Sequence, residues 1–426
     1  MEITLLFVVM LALIIVGVPI GYSIGVSTLL TLIIFTEIPL VMVAQNAFRG
    51  IDSFPLMAIP FFILAGNLMT QGGLARRIVS MANVFAGRST GGLASVATLG
   101  CMFFGAISGS AIATTSAMAT MVLPEMEAKN YDKNFSASLV AAAGTVGIIL
   151  PPSIPFVVYG VVTNTSIGRL FIAGIIPGIL MGAALLVAGN IISRRRGYVG
   201  DDTPFTVARA FKELRGGIWA ILAPIIILGG IYGGIFTPTE AAVVSVVYAL
   251  LVGVVIYREL TWAKIRLSLY NTLIINGITT FMIGLSTVFS AYLSLNQIPQ
   301  RLASFFLGIT ENPILLLLLI NVLLFIIGFI VDNIPACIIL APILLPVVIN
   351  LGMSPVQFGV VLTLNLAIGF VTPPYGTNLF VTAAIAKIPV APLFKTVLPF
   401  ILALFIVLMI VTYFPPTTMF LVELMN

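Results

Sequence analysis

The sequence predicts an all-α polytopic membrane protein with two inverted repeats, each containing a re-entrant helical hairpin and a broken transmembrane helix. Three observations support this fold class. The 426 residues are 60% hydrophobic and only 8% charged, with a mean hydropathy of +1.21. Several apolar runs exceed the ~20 residues that cross a bilayer as a helix. Two segments with polar and helix-breaking interruptions also recur at a constant offset along the chain.

Composition excludes several classes of protein. Helices are favoured over a membrane β-barrel, because barrel strands alternate polar and apolar residues and these runs do not. Histidine is absent and only two cysteines occur, which disfavours a disulfide framework, a cysteine or histidine metal cluster and a serine–histidine protease. The net charge of +5 lies beside apolar spans, as membrane topology signals do. We therefore expect neither an enzyme nor a nucleic-acid-binding protein.

The two interrupted segments align when the chain is shifted by 222 residues. In each copy 27 residues separate the proline of a Leu-Pro pair from the first proline of Gly-x-x-x-Pro-Pro (151 − 124 and 373 − 346). The aligned pairs are Leu123-Pro124 with Leu345-Pro346, Gly147 with Gly369, Pro151-Pro152 with Pro373-Pro374, and Ser110-Ala111 with Asp332-Asn333. Paired Gly- and Pro-interrupted segments in two halves are typical of secondary transporter binding sites.

The apolar runs and the breaks between them define the predicted elements. Residues 1–54 form N-terminal scaffold helices, of which residues 1–37 form one long span or two short ones, and the first run, 3–35, lacks the features of a cleaved signal peptide. Residues 55–196 form the first repeat, with a hairpin over 91–123 and a broken helix over 135–162. Residues 197–216 form a cytoplasmic loop, and 217–270 form further scaffold helices. Residues 271–426 form the second repeat, with a hairpin over 313–351 and a broken helix over 356–386.

Charges set the orientation of the repeats. The arms of the first hairpin are too short to cross a bilayer, so its two basic ends lie on one side, which we expect to be cytoplasmic. Counting spans from there brings two later basic clusters to the same side and leaves the second hairpin rooted outside. The basic positions are Arg76, Arg77, Arg88, Lys129, Lys133, 194–196, Arg258, Lys264 and Arg266. The repeats are therefore predicted to run in opposite directions.

The interruptions supply groups that bind small ions. A broken helix survives in lipid only where protein or a hydrated cavity satisfies its freed backbone groups. Half-helix N-termini favour anions, whereas unwound carbonyls favour small cations, and hydroxyl, amide and carbonyl oxygens are hard ligands suited to sodium. We predict a first sodium site at Ser108, Gly109, Ser110, Gly144, Thr145 and Gly147. We predict a second at Asp332, Asn333, Gly369, Thr372, Gly376 and Thr377.

Two other interpretations of these residues stay open at this point. Each interruption alone is compatible with a packing or kink device, although recurrence in matched register favours a functional site. An aspartate such as Asp332 costs about 2.5–3.5 kcal/mol near the bilayer centre, and it is alternatively the buried partner of a distant arginine.

Two pairs of motifs resemble those of a known family. The pairs are Ser108-Gly109-Ser110 with Leu150-Pro151-Pro152-Ser153, and Asp332-Asn333 with Thr372-Pro373-Pro374-Tyr375-Gly376-Thr377-Asn378. Over its whole length the chain is similar to the large membrane subunit of tripartite ATP-independent periplasmic (TRAP) transporters. The sialic-acid type is most similar, with the C4-dicarboxylate type next. The resemblance implies an elevator-type transporter of the ion transporter superfamily, with Na+ as the co-transported ion. It also implies a bacterial inner-membrane location, a separate small four-helix membrane subunit and a periplasmic substrate-binding protein.

The resemblance also implies where an organic-acid substrate binds. Its predicted contacts, between the hairpin tips and the breaks, are Ser110, Pro152, Ser153, Asn333, Thr372, Pro374 and Asn378. The superfamily usually carries Ser-Asn-Thr at the first tip, whereas this chain has Ser108-Gly109-Ser110-Ala111. Backbone carbonyls are therefore expected to carry more of the sodium coordination.

Two other functions are alternatives to this assignment. A stand-alone sodium/dicarboxylate symporter fits the same motifs, since only the family likeness points to a binding protein. An ion channel is less favoured, because selectivity filters are usually rings built by subunit symmetry, whereas these elements are internal repeats.

Overall fold

A computed structural model describes residues 2–36, 39–200, 206–298, 300–301, 308, 310, 312–374 and 376–425. Tyr375 of the second motif and residues 201–205 of the predicted loop lie outside the described residues. The regular structure of the described part is helical, which confirms the predicted fold class. Six of the described helices are long and apolar enough to cross a membrane, or seven if one bent pair counts as a single span.

The first half of the chain begins with two separate helices, because Gly17 (φ +92°) and Pro19 interrupt the first apolar run. A 3-10 turn at Phe54–Met57 precedes α4, and another at Thr145–Ile148 follows α8. The helices are α1 Glu2–Ile15, α2 Ile20–Phe35, α3 Leu40–Ile51, α4 Ala58–Gln71, α5 Leu74–Ala86, α6 Gly92–Ser108, α7 Ala111–Ala128, α8 Lys133–Gly144, α9 Ile154–Thr163 and α10 Ile167–Arg195.

The second half repeats the pattern of hairpin, broken helix and final span. A π-helical segment, Leu251–Ile256, extends α12. The described helices are α11 Val207–Tyr232, α12 Pro238–Leu250, α13 Trp262–Leu295, α14 Pro313–Gly328, α15 Asn333–Asn350, α16 Pro355–Gly369, α17 Thr377–Ala386, α18 Leu393–Thr396, α19 Leu398–Tyr413 and α20 Pro416–Leu424.

The register read from the sequence also relates the helices. Both ends of α7, at residues 111 and 128, shift by 222 onto the ends of α15, at 333 and 350. The capping residues match as well. The Ser110 side chain caps α7 and the Asp332 side chain caps α15, while Asp132 and Ser354, also 222 apart, cap α8 and α16. Equivalent local signals therefore start equivalent helices in the two repeats.

Several helix boundaries differ from the sequence prediction. The first hairpin ends at Ala128, not 123, because Pro124 lies inside α7 without ending it. Helix α11 begins at Val207, inside the predicted 197–216 loop, where the Thr206 hydroxyl accepts the N–H of Arg209 at 3.2 Å. Helices α3 and α5 were not predicted, since their apolar residues occupy only one face.

The two repeats interlock around the site. The second arm of each hairpin packs against the second half of the other repeat's broken helix, so that α7 contacts α17 and α15 contacts α9. Helix α13 contacts α2, α3, α4 and α15. The hairpin tips therefore meet in the interior, with α4 and α13 beside them.

Candidate functional site

A cavity of about 590 Å³ lies where the two hairpin tips meet. One wall contains Ser108–Ala113 of the first tip and another contains Asp332–Ile334 of the second. The breaks contribute apolar atoms, and the remaining wall comes from α4 and α13. The residues outside the tips are Ile63, Gly66, Asn67, Ser116, Ile148, Ile154, Pro155, Asn271, Ile274, Ile275, Ile278, Thr279, Met282 and Phe370.

The backbone of the first tip contacts the backbone of the first break, through a hydrogen bond and a close approach at Gly109. The N–H of Ile154 donates to the carbonyl oxygen of Gly109 at 3.2 Å. Gly109 has φ +63°, and a Cβ at this position would lie 2.7 Å from the carbonyl oxygen of Pro152. Both the left-handed backbone and the close approach therefore require glycine between Ser108 and Ser110.

Glycine pairs bring each hairpin against its break in both repeats. A Cβ on Gly105 would lie 2.7 Å from the Cα of Gly147. In the second repeat a Cβ on Gly369 would lie 2.9 Å from the Cα of Gly328. The predicted site residue Gly369 is therefore a packing position between α14 and α16, and it lies behind the cavity wall.

Buried oxygens of the first repeat cluster at the predicted first sodium site. The hydroxyls of Ser108 and Thr114 lie 2.7 Å apart, and Ser108 Oγ also donates to the carbonyl oxygen of Ser110 at 3.4 Å. A Cβ on Gly147 would lie 3.0 Å from that same carbonyl oxygen, so the break faces these groups. Such neutral, hard oxygens suit a sodium ion.

Two threonines at this cluster were missed in the sequence. Thr114 and Thr115 are both fully buried, and Thr115 Oγ1, which abuts Gly144, has no hydrogen-bond partner among the described residues. The predicted ligand Thr145 is also buried, and its hydroxyl donates to the carbonyl oxygen of Ala142 at 2.6 Å. The signal was available, since Thr114 lies one helical turn after the capping Ser110.

Unpartnered polar groups mark the second tip. The Asp332 carboxylate accepts the N–H of Asn333 at 2.7 Å and forms no ion pair with any described residue, so no described arginine is its partner. Asn333 is only 3% exposed, yet neither of its amide atoms has a partner in the described part of the chain. The buried Thr377 hydroxyl likewise has no partner among the residues that the structure describes. Buried groups in this state are the ones that a bound ion or ligand satisfies.

The structure separates the predicted substrate contacts into two groups. Ser110 and Asn333 line the cavity, whereas the others lie behind the tips or outside the cavity wall. Ser153 Oγ donates to the carbonyl oxygen of Ile148 at 2.6 Å, and Thr372 Oγ1 donates to that of Ile368 at 2.8 Å. Asn378 Nδ2 donates to the carbonyl oxygen of Ala141. Pro152 is buried against Gly109, and Pro374 is exposed.

Helices α4 and α13 supply cavity residues that the sequence did not reveal. Asn67 of α4 donates to the hydroxyl of Thr272 at 3.1 Å, which joins the two helices. On α13, Asn271 and Thr279 accompany three isoleucines that share its cavity-facing side. Their helical spacing is visible in the sequence, but lipid-facing isoleucines have the same spacing.

The described wall of the cavity carries a single charged side chain. Asp332 is the only charged residue among the described residues of its wall, and none of them is lysine or arginine. The positive ends of three helices compensate in part, because α7, α9 and α15 all begin at the wall, at Ala111, Ile154 and Asn333. A helix N-terminus carries a partial positive charge from the helix dipole, which favours a nearby anion.

The chain is similar throughout to known transport proteins. Residues 7–417 match the family described as tripartite ATP-independent periplasmic transporter, DctM component. The chain is 44% identical, over 95% of its length, to the isethionate TRAP transporter permease protein DctMQ of Oleidesulfovibrio alaskensis, of which it spans 64%. It is 41% identical to the sialic acid TRAP transporter large permease protein SiaM of Vibrio cholerae, with 97% of each chain covered.

Two further comparisons agree with this result. The C4-dicarboxylate TRAP transporter large permease protein DctM of Pseudomonas aeruginosa is 39% identical, with 93% of each chain covered. Among solved structures, the Alcanivorax borkumensis YdaH transporter has a similar fold, with a TM-score of 0.56 and 16% identity over 87% of this chain and 86% of that one. The chain therefore belongs to the DctM component family of tripartite ATP-independent periplasmic transporters, whose members are multi-pass membrane permease subunits.

Proposed function

We propose that this chain drives sodium-dependent uptake of an organic acid across the bacterial inner membrane, as the transport subunit of a TRAP system. The observation that carries the proposal is one cavity bounded by two hairpin tips in matched register, with three helix N-termini and Asp332 at its wall. Its volume, about 590 Å³, falls within the ~300–1,000 Å³ of small-molecule sites.

Sodium has a defined electrostatic role in this proposal. An acid in the cavity faces Asp332 and no lysine or arginine among the described wall residues. Like charges about 4 Å apart repel by about 4 kcal/mol at an effective dielectric constant near 20. Sodium ions held by each tip and break remove this repulsion and satisfy the unpartnered oxygens of Thr115, Asn333 and Thr377. Substrate and sodium therefore bind the same conformation, which couples their movement.

The movement we propose is an elevator step. The hairpins and broken helices form a transport body that holds the ions and the acid. Helices α4 and α13, which the sequence prediction assigned mostly to the repeats, serve here as the scaffold, and the isoleucine side chains of α13 at Ile274, Ile275 and Ile278 form no hydrogen bonds that would hold the tips in one position. The opposite orientation of the repeats supplies the two faces that alternating access requires.

The relatives' names supply the candidate substrates. We propose sialic acid first and a C4-dicarboxylate second, and the isethionate relative adds a sulfonate to the acids worth testing. The proposed partners are a small four-helix membrane subunit and a periplasmic substrate-binding protein that delivers the acid.

Uptake into proteoliposomes tests this function. The complex is reconstituted with an inward sodium gradient, and labelled sialic acid, succinate and isethionate are compared, with the small subunit and the binding protein added or omitted. Uptake of one acid only when both partners and the gradient are present is the expected result. Uptake without the binding protein would favour a stand-alone symporter, and an equal potassium gradient that drives the same uptake would refute sodium coupling.

A further inference from the structure

The first break leaves the backbone carbonyl of Ala141 without its α-helical donor. At the end of α8, the N–H of Thr145 donates to the carbonyl oxygens of Ala142 and Ala143. An α-helix would pair this N–H with Ala141, four residues earlier. Ala141 is completely buried, so its released carbonyl oxygen requires a partner from the protein.

The other repeat supplies that partner. Asn378 Nδ2 donates to the carbonyl oxygen of Ala141 at 3.0 Å, across 237 residues of sequence. The backbone N–H of Asn378 donates at 3.0 Å to the carbonyl oxygen of Phe370, which closes the second break, and Phe370 lines the cavity. Asn378 is itself 0% exposed. One residue therefore holds a hydrogen bond to each of the two breaks.

Each end of this link adjoins a predicted sodium site. Gly144, three residues after Ala141, lies against the unpartnered hydroxyl of Thr115 in the first site. Thr377, which precedes Asn378, carries an unpartnered buried hydroxyl in the second site. We infer that Asn378 is a positioning residue through which sodium binding at one site favours binding at the other. The inference rests on the proposed function, because it requires two sodium sites.

The physical basis is shared ordering. An ion in the first site fixes the Gly144–Thr115 contact and with it the position of the Ala141 carbonyl. The hydrogen bond from Asn378 then fixes the start of α17, including the Thr377 hydroxyl. A second ion meets ligands that are already ordered and loses less entropy on binding, which is positive cooperativity.

Replacing the donor tests the coupling. Asn378→Leu removes Nδ2 and keeps a side chain of similar size. Thr382→Val is the matched control: Thr382 lies in the same helix, is equally buried, and its hydroxyl donates only to Asn378 and Leu379 carbonyls of α17, each at 3.1 Å. Binding of radiolabelled sodium to the purified complex is measured as a function of concentration, beside its melting temperature.

The wild type and Thr382→Val are expected to give a Hill coefficient approaching about 2, since it is bounded by the number of sites. Asn378→Leu is expected to lower it toward about 1 and to raise the sodium concentration for half-saturation about fivefold, the effect of one net hydrogen bond. A folded Asn378→Leu protein with the wild-type Hill coefficient would overturn the inference. If this variant does not fold, Asn378→Ala, which also removes the donor, gives the same comparison.

A second result separates this inference from the proposed function. Non-cooperative sodium binding by the wild type, with intact gradient-driven uptake, would overturn the coupling alone. Absence of any sodium binding or gradient-driven uptake by the wild type would overturn both.

Discussion

Replacing Gly105 by alanine tests whether the first hairpin must close on the first break for sodium to bind. The new Cβ would lie 2.7 Å from the Cα of Gly147 and 3.1 Å from its nitrogen. Carbon atoms in favourable contact are about 3.5–4.0 Å apart, so α6 and the break must separate by about 1 Å. Both atoms belong to the backbone, and no side-chain rotation relieves the conflict.

The steric conflict destabilises the state in which α6 packs against the first break. Overpacking of a well-packed interior destabilises by about 1–3 kcal/mol. The separated elements carry Ser108 and the carbonyl of Ser110 on one side and Gly147 on the other, so the separation opens the oxygen cluster of the predicted first sodium site. If the whole cost falls on the sodium-bound form, sodium affinity drops by about 5–150-fold.

Sodium binding and sodium-dependent uptake are measured for Gly105→Ala beside Gly229→Ala. Gly229 lies in α11, and a Cβ there meets nothing within 4 Å, so the control raises helix propensity by about 1 kcal/mol without a steric conflict. The control is expected to match the wild type. A Gly105→Ala protein that melts normally and needs no more sodium than the control would refute the role given to this closure.

Three further substitutions address single groups of the site. Asp332→Ala is expected to raise the sodium requirement and weaken uptake in a folded protein, and unchanged sodium dependence of uptake would contradict the assignment. A buried amide without partners destabilises the folded protein by about 1–3 kcal/mol, and Asn333→Leu removes it, so the melting temperature should hold or rise. Uptake should fall at least tenfold (~1.4 kcal/mol). A large loss of stability would indicate a purely structural role. Thr115→Val should leave the melting temperature unchanged and weaken sodium binding by about fivefold, and wild-type sodium binding would remove Thr115 from the site.

The hairpins and breaks were predictable because their signals are local. Ser110 and Asp332, which lie 222 residues apart, cap the second arms of the two hairpins. Capping, glycine and proline effects act within one helical turn, so a matched register in the sequence becomes a matched register in the helices. The same locality limited the prediction of length: Pro124 carries a breaking signal, yet packing keeps it inside α7.

The scaffold side of the cavity was not predictable for a physical reason. In a soluble protein an exposed isoleucine stands out, but in a membrane helix both lipid and a cavity wall accept it. Ile274 and Ile278 therefore look like the lipid-facing residues of any long span, although they line the cavity.

The role proposed for Asn378 was not predictable for another reason. Its partner is a backbone carbonyl 237 residues away, and a carbonyl carries no sequence signature.

The absence of a lysine or arginine from the described cavity wall agrees with the coupling we propose. A fixed positive side chain would bind an acid with or without sodium, and a ligand that binds two states equally shifts neither. In the mechanism we propose, a full positive charge arrives only with a co-transported sodium ion, while the helix N-termini at Ala111, Ile154 and Asn333 carry only partial charges. In the proposed mechanism, affinity for the acid therefore depends on sodium, because the ion and not a side chain of the described wall brings the full positive charge.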